Sequence, residues 1–150
     1  IVGEDWGAFQ EALKKADTTC RNKIILTGRL PDRELQCAYS VADVVVIPSL
    51  WEAYSSVAVE AWSFGKPVVM TNTVGLSEVI SQIGGGLVFN YKDYKGLARA
   101  IIKLCLNHEL RAELGRQGYC FVKKLSWRLF AEKIETLIIK LKIAGFRNRS

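Results

Sequence analysis

Residues 44–67 constrain the fold more than any other part of the chain. Val44-Val45-Val46-Ile47 is an unbroken β-branched run, the pattern of a strand buried on both faces of a parallel sheet. Pro48 has no N–H to give to a ladder, so the strand should end there. From about Ser55 the apolar residues Val57, Ala58, Ala61, Trp62 and Phe64 recur at helical spacing until Gly65, a C-cap candidate. The stretch reads as strand, irregular loop, helix.

Such a junction places helix N-terminal amides at the carboxyl edge of the sheet, where open α/β folds bind ligands. The amides of Ser55, Ser56 and Val57 would face that crevice, and the helix dipole favours an anion there. Glu52 precedes the helix and Glu60 lies about two turns inside it. With a rise of roughly 1.5 Å per residue, the two carboxylates would bracket a ligand several ångströms long. Carboxylates beside an anion site suit hydroxyl groups, as the acidic residue of dinucleotide folds suits ribose. Phosphate at the amides with hydroxyls at each Glu describes a nucleotide sugar.

The rest of the chain repeats the alternation. Ile1 to Gly3 reads as a strand end, and Asp5 to about Ala16 as a helix with Trp6, Phe9 and Leu13 on one face. Lys23 to Thr27 reads as a short buried strand closing in Gly28-Arg29-Leu30-Pro31. A helix capped near Asp32 carries Leu35, Ala38, Tyr39 and Val41. After residue 67 come a strand from Val68 to Thr71, a loop opened by Gly75, and a short helix with Glu78, Val79 and Ile80. Gly84-Gly85-Gly86 turns into a strand from Leu87 to Phe89. From Asp93 the pattern is helical, with Leu97, Ile101, Leu104 and Leu106, then Leu110, Leu114 and Phe121. Ser126 caps a final amphipathic helix bearing Trp127, Phe130, Ile134, Leu137, Ile138 and Leu141. Strand and helix alternate about five times, which predicts a Rossmann-like α/β fold: a parallel sheet with right-handed crossovers, helices on both faces, and terminal helices.

At 150 residues, one domain with a real core is expected. No apolar run approaches the ~18 residues of a membrane span. The formal charge of +6 is partly a C-terminal matter (Lys133, Lys140, Lys142, Arg147, Arg149). It reads first as a solvated helix face, with an acidic membrane surface or an anionic substrate as alternatives. No aromatic-basic pattern speaks for nucleic acid. Cys20, Cys37, Cys105 and Cys120 are scattered without metal spacing and read as reduced thiols of a cytoplasmic domain, peripheral at a membrane as a further option. His108, the single histidine, is followed four residues on by Ala112, so there is no HExxH. An Asp-x-Asp pair is also missing, and no metal is expected.

In Pro48-Ser49-Leu50-Trp51-Glu52, then Val59-Glu60-Ala61, Gly65-Lys66-Pro67-Val68-Val69, Gly75-Leu76-Ser77-Glu78-Val79-Ile80 and Gly84-Gly85-Gly86-Leu87-Val88, the chain resembles the group 1 (GT4-like) retaining glycosyltransferases of the GT-B fold. The likeness runs over about residues 1 to 130, with seven residues between the paired glutamates. It implies that residues 1–150 form a C-terminal, donor-binding lobe, with the acceptor-binding N-terminal lobe as the missing partner. It implies transfer of a sugar from a nucleoside diphosphate sugar to an acceptor with retention, as in polysaccharide or glycolipid biosynthesis, and no separate cofactor.

The resemblance also assigns roles. Glu60 holds the ribose hydroxyls. Glu52 meets the donor sugar near the reacting carbon and supports positive charge as the glycosidic bond loosens. Tyr54, Ser55, Ser56 and Val57 meet the diphosphate and sugar, while Gly28 and Arg29 hold the base. Ser55 stands where the family commonly has Gly, so its side chain would crowd the donor or add a hydroxyl bond. The Gly75 loop reads equally as structural or as donor-facing. The chain begins Ile1-Val2-Gly3 without Met and reads as an excised piece, whose diphosphate-binding Arg and Lys would fall upstream and which would not catalyse transfer alone. Two rivals stay open: a non-catalytic module binding a nucleotide sugar, partner or membrane, and an epimerase of GT-B shape, which one histidine makes hard to supply.

Overall fold

The computed structural model describes residues 1–3 and 8–147. Along the chain run α1 (Ala8–Lys15), α2 (Thr18–Arg21), α3 (Asp32–Val41), β1 (Val45–Ile47), α4 (Ser56–Ser63), β2 (Val68–Thr71), α5 (Leu76–Ile83), β3 (Gly86–Phe89), α6 (Tyr94–Leu106), α7 (His108–Val122) and α8 (Trp127–Arg147). The chain divides into two compact units after Ala42, where a single core was expected. The division follows the burial: Tyr39 is the one buried hydrophobic residue among those described in the first unit, and Ile25 and Val41 are exposed.

In the first unit the expected strand over Lys23–Thr27 is reduced to an isolated parallel bridge, Val2 to Gly28. Its hydrogen bonds run from Thr27 N–H to Ile1 C=O and from Gly3 N–H to Gly28 C=O. The cap expected at Asp32 or its neighbour falls on Pro31, which makes no side-chain bond. Asp32 instead begins α3, where a carboxylate complements the helix dipole. The expectations for Asp5 and Trp6 lie outside the described residues.

The second unit is built on a parallel sheet in the order β1-β2-β3, with Val46 beside Val69 and Val69 beside Leu87. Successive strand residues point to opposite faces, and Val68, Val69, Met70 and Thr71 of β2 are all buried. At β2 both faces are therefore covered, whereas β1, the run expected to be buried on both faces, is half-buried at Val45 and Val46 and buried only at Ile47. One face packs Val69 and Phe89 on Leu104 of α6 and Leu114 of α7, with Val44, Val46, Leu87, Leu97, Ala100 and Leu110 around them. Helix α4 packs on β1, β2 and α7.

Trp62 ties α4 into the core. It has no exposed surface, and its Nε1–H donates to Gly85 C=O at 2.8 Å. Its ring meets Phe121 edge-on, centroids 5.7 Å apart. Helix α7 comes this close because Gly115 and Gly118 face α4: a Cβ on Gly118 would sit 2.1 Å from Trp62 Cδ1, and one on Gly115 2.0 Å from Gly65 C=O. Helix α4 ends at Gly65, with φ +65°. The Gly65 N–H bonds Trp62 C=O and the Lys66 N–H bonds Ala61 C=O, which is a Schellman close. Asp93 caps α6 through Gly96 N–H, Asn107 caps α7 through Leu110 N–H, and Ser126 Oγ accepts from Leu129 N–H. From Arg128 to Lys142, α8 leaves every side chain exposed.

Candidate functional site

Parallel strands share one carboxyl edge, so the segments that follow Ile47, Thr71 and Phe89 emerge side by side. The loop after β1 carries Glu52, and it is fastened to the loop after β2. Pro48 stops the ladder, and side-chain hydroxyls take over from it. Thr71 Oγ1 donates to Ser49 C=O at 2.6 Å, and Thr73 Oγ1 lies 3.1 Å from both that carbonyl and Thr71 Oγ1. Further on, Glu52 bridges Val74 in parallel, and Gly75 N–H donates to Glu52 C=O at 2.8 Å. Ser49 Oγ reaches the Glu52 carboxylate itself, 2.6 Å from Oε1. Glu52 is half-buried at this edge.

The Gly75 loop is thus a buttress for Glu52. Gly75 has φ −57° and ψ −32°, which any residue adopts, so conformation does not demand glycine. Space does: a Cβ there would meet Ala53 C=O at 2.2 Å. Sequence reasoning left this loop between two roles and missed Ser49, Thr71 and Thr73. The one available signal was a Ser three residues before Glu52, since the threonine contacts depend on the pairing of β1 with β2.

Helix α4 opens beside this loop, with Ser55 as its first flanking residue and Ser56 as its first helical one. Its first intrahelical bond runs from Val59 N–H to Ser55 C=O at 3.4 Å, so the amides of Ser56, Val57 and Ala58 have no acceptor within the helix. The Ser55 side chain does not cap them. Ser56, Val57 and Glu60 are exposed and share one helix face by spacing. Glu60 lies one turn after Ser56 on that face. Tyr54 is exposed, as are Leu50 and Trp51 on the same loop.

Ser55 departs from expectation. It has no exposed surface, and its Oγ is buried without a hydrogen-bond partner among the described residues. The hydroxyl is therefore not exposed at the helix N-terminus. Gly28 and Arg29 belong to the first unit. There Gly28 takes φ +67° and pairs with Val2, while Arg29 is exposed. Among the described residues no three of His, Cys, Asp and Glu gather to hold a metal ion. Cys20, Cys37, Cys105 and Cys120 are free and exposed. No helix of the described residues is long and apolar enough to cross a membrane.

The model of the family described as "Glycosyl transferases group 1" matches residues 1–121. The chain belongs to the group 1 glycosyl transferases. Relatives of this group 1 chain include a D-inositol 3-phosphate glycosyltransferase of Corynebacterium jeikeium (strain K411), 37% identical over 117 residues, which make up 78% of this chain and 28% of that protein. Among solved structures, sucrose-phosphate synthase from Thermosynechococcus elongatus superposes with a TM-score of 0.75 at 28% identity, over 95% of this chain and 38% of that one. Anabaena Alr3699/HepE in complex with UDP superposes at 0.74 over 93% of this chain and 40% of that one. With 19% identity, that likeness speaks for the fold alone. The architecture is the Rossmann-like α/β arrangement of GT-B glycosyltransferases, terminal helices included. The group 1 chain spans between about a quarter and two-fifths of the length of these proteins.

Proposed function

We propose that this group 1 chain is the donor-binding part of a glycosyltransferase that takes a sugar from a nucleoside diphosphate sugar and passes it to an acceptor with retention of configuration. One observation carries the reading: a helix N-terminus that Ser55 does not cap, at the carboxyl edge of a parallel sheet, lies between a buttressed loop carboxylate and an exposed helix carboxylate. The open amides of Ser56 and Val57 suit the diphosphate, since their N–H groups and the helix dipole both favour negative charge. Glu60, one turn after Ser56, suits the vicinal hydroxyls of ribose. Glu52, held on the loop, suits the sugar hydroxyls, and its charge would stabilise an oxocarbenium-like transition state. Tyr54 lines the same loop. No further cofactor is invoked; the sugar nucleotide is itself the substrate. The UDP complex of HepE makes uridine the first base to try.

The rival reading, a non-catalytic module with a binding tail, rested on Ser55 at the family's glycine position, and Ser55 is buried rather than exposed toward a ligand. Calorimetric titration of the full-length gene product with UDP, GDP and ADP tests the proposal. One diphosphate should bind, and Glu60→Ala should weaken it at least tenfold, the order expected for losing hydrogen bonds to a charged group. Binding that survives Glu60→Ala unchanged, or no binding of any of the three, would overturn the reading.

A further inference from the structure

Hydroxyls of the loop after β1, of the end of β2 and of the loop beyond it form a system that the donor-binding reading leaves unused. A carboxylate on a loop swings through three side-chain torsions unless one oxygen is held. In this chain Ser49 Oγ holds Glu52 Oε1 at 2.6 Å, within the range of short, charge-assisted bonds. Ser49 is itself held through its carbonyl, at 2.6 Å by Thr71 Oγ1 and at 3.1 Å by Thr73 Oγ1. Thr71 is 1% exposed and is the last residue of β2, paired with Phe89 of β3. A continuous path therefore leads from the sheet, through buried Thr71 and the Ser49 main chain, to one oxygen of the carboxylate. The other oxygen, Oε2, takes no bond from any described residue.

We propose that Ser49 is the positioning residue of Glu52, with Thr71 and Thr73 anchoring Ser49, so that Oε2 is presented to the sugar hydroxyls of the donor. This rests on the reading of Glu52 as the sugar-facing carboxylate. Its consequence is selective. Ser49 governs the sugar end of the ligand, whereas the diphosphate and ribose are met from α4, which these hydroxyls do not touch.

The test uses the full-length gene product with UDP-, GDP- and ADP-glucose and the three free diphosphates, titrated calorimetrically against wild type, Ser49→Ala, Ser49→Thr, Glu52→Ala and the Ser49→Ala/Glu52→Ala double variant. For the base that binds, Ser49→Ala should weaken the sugar nucleotide about tenfold, the low end of the value of a hydrogen bond to a charged group. Affinity for the free diphosphate should stay within about twofold. Ser49→Thr, which keeps the hydroxyl, should restore most of the loss. Once Glu52 is Ala, removing Ser49 should cost nothing further, because coupled residues are not additive.

Equal weakening of diphosphate and sugar nucleotide would mark Ser49 as a general scaffold residue and overturn the proposal. So would no change in Ser49→Ala, failure of Ser49→Thr to rescue, or effects that multiply in the double variant. If Glu52→Ala itself leaves sugar-nucleotide affinity unchanged, or none of the six ligands binds, the donor-site reading fails and the Ser49 proposal falls with it.

Discussion

Replacing Ser55 by Ala should stabilise this protein, although Ser55 stands at the N-cap of α4. An N-cap Ser→Ala change ordinarily costs about 0.5–2 kcal/mol, because a side-chain bond to a free helix amide is lost. Here that bond does not exist, so there is nothing of the kind to lose. The hydroxyl is instead buried with no partner among the described residues, a state that costs about 1–3 kcal/mol relative to hydration. Removing one oxygen leaves a void smaller than a methyl group, which returns less than about 1 kcal/mol of the gain. The net expectation is stabilisation by roughly 0.5–2 kcal/mol, or a rise in Tm of about 1–8 °C for a chain of this size. Urea and thermal unfolding of the 150-residue chain, followed by tryptophan fluorescence with Trp62 as the buried reporter, reads the effect. Affinity for a nucleoside diphosphate should stay within about twofold, about 0.4 kcal/mol, since the hydroxyl is not exposed at the helix N-terminus. Destabilisation by 1 kcal/mol or more at an unchanged urea slope would show that the hydroxyl has a partner and refute the argument.

Gly118→Ala sets helix propensity against packing. Propensity offers about 1 kcal/mol, but the new methyl would lie 2.1 Å from Trp62 Cδ1, on a ring fixed by Gly85 and Phe121. Overpacking of about 1–3 kcal/mol should win and lower the urea midpoint; a raised midpoint would show that the ring yields. Gly75→Ala should cost a similar roughly 1–3 kcal/mol, because its Cβ meets a main-chain carbonyl rather than a flexible side chain. It should also weaken sugar-nucleotide binding by shifting Glu52, and intact affinity on calorimetry would speak against the buttress. Glu113 is held below its ordinary value of 4.5 chiefly by its hydrogen bonds from Arg116. A lowered carboxylate stabilises above that value and ceases to as pH falls through the folded one. The Tm difference between wild type and Glu113→Gln should therefore be present at pH 7 and vanish as the pH falls below 4.5. A difference that persists in acid would assign it to another cause.

Local chemistry was enough for the segments whose structure depends on near neighbours. The run Val44 to Ile47 had to contain a strand, Pro48 had to end it, and Gly65 had to close α4, because periodicity, a missing N–H and a positive φ act within a few residues. How far that strand is covered, half-buried at Val45 and Val46, was not a local matter. The resemblance placed both glutamates in the same stretch. What no local pattern contains is which distant groups meet it. That Thr71 and Thr73 seize the Ser49 carbonyl, that Gly75 must be bare to let Ala53 pass, and that Gly118 must be bare to seat Trp62 follow from strand register and helix approach. Ser55 makes the same point from the other side: its composition says cap or ligand contact, and the structure buries it without a cap bond. The first unit differs again. Ile24-Ile25-Leu26 has the composition of a buried strand, yet Ile24 and Ile25 are exposed and the described pairing is a single bridge from Gly28 to Val2. Residue types set what each segment could become, and the long-range contacts, which alone decide burial and partnership, chose among those outcomes.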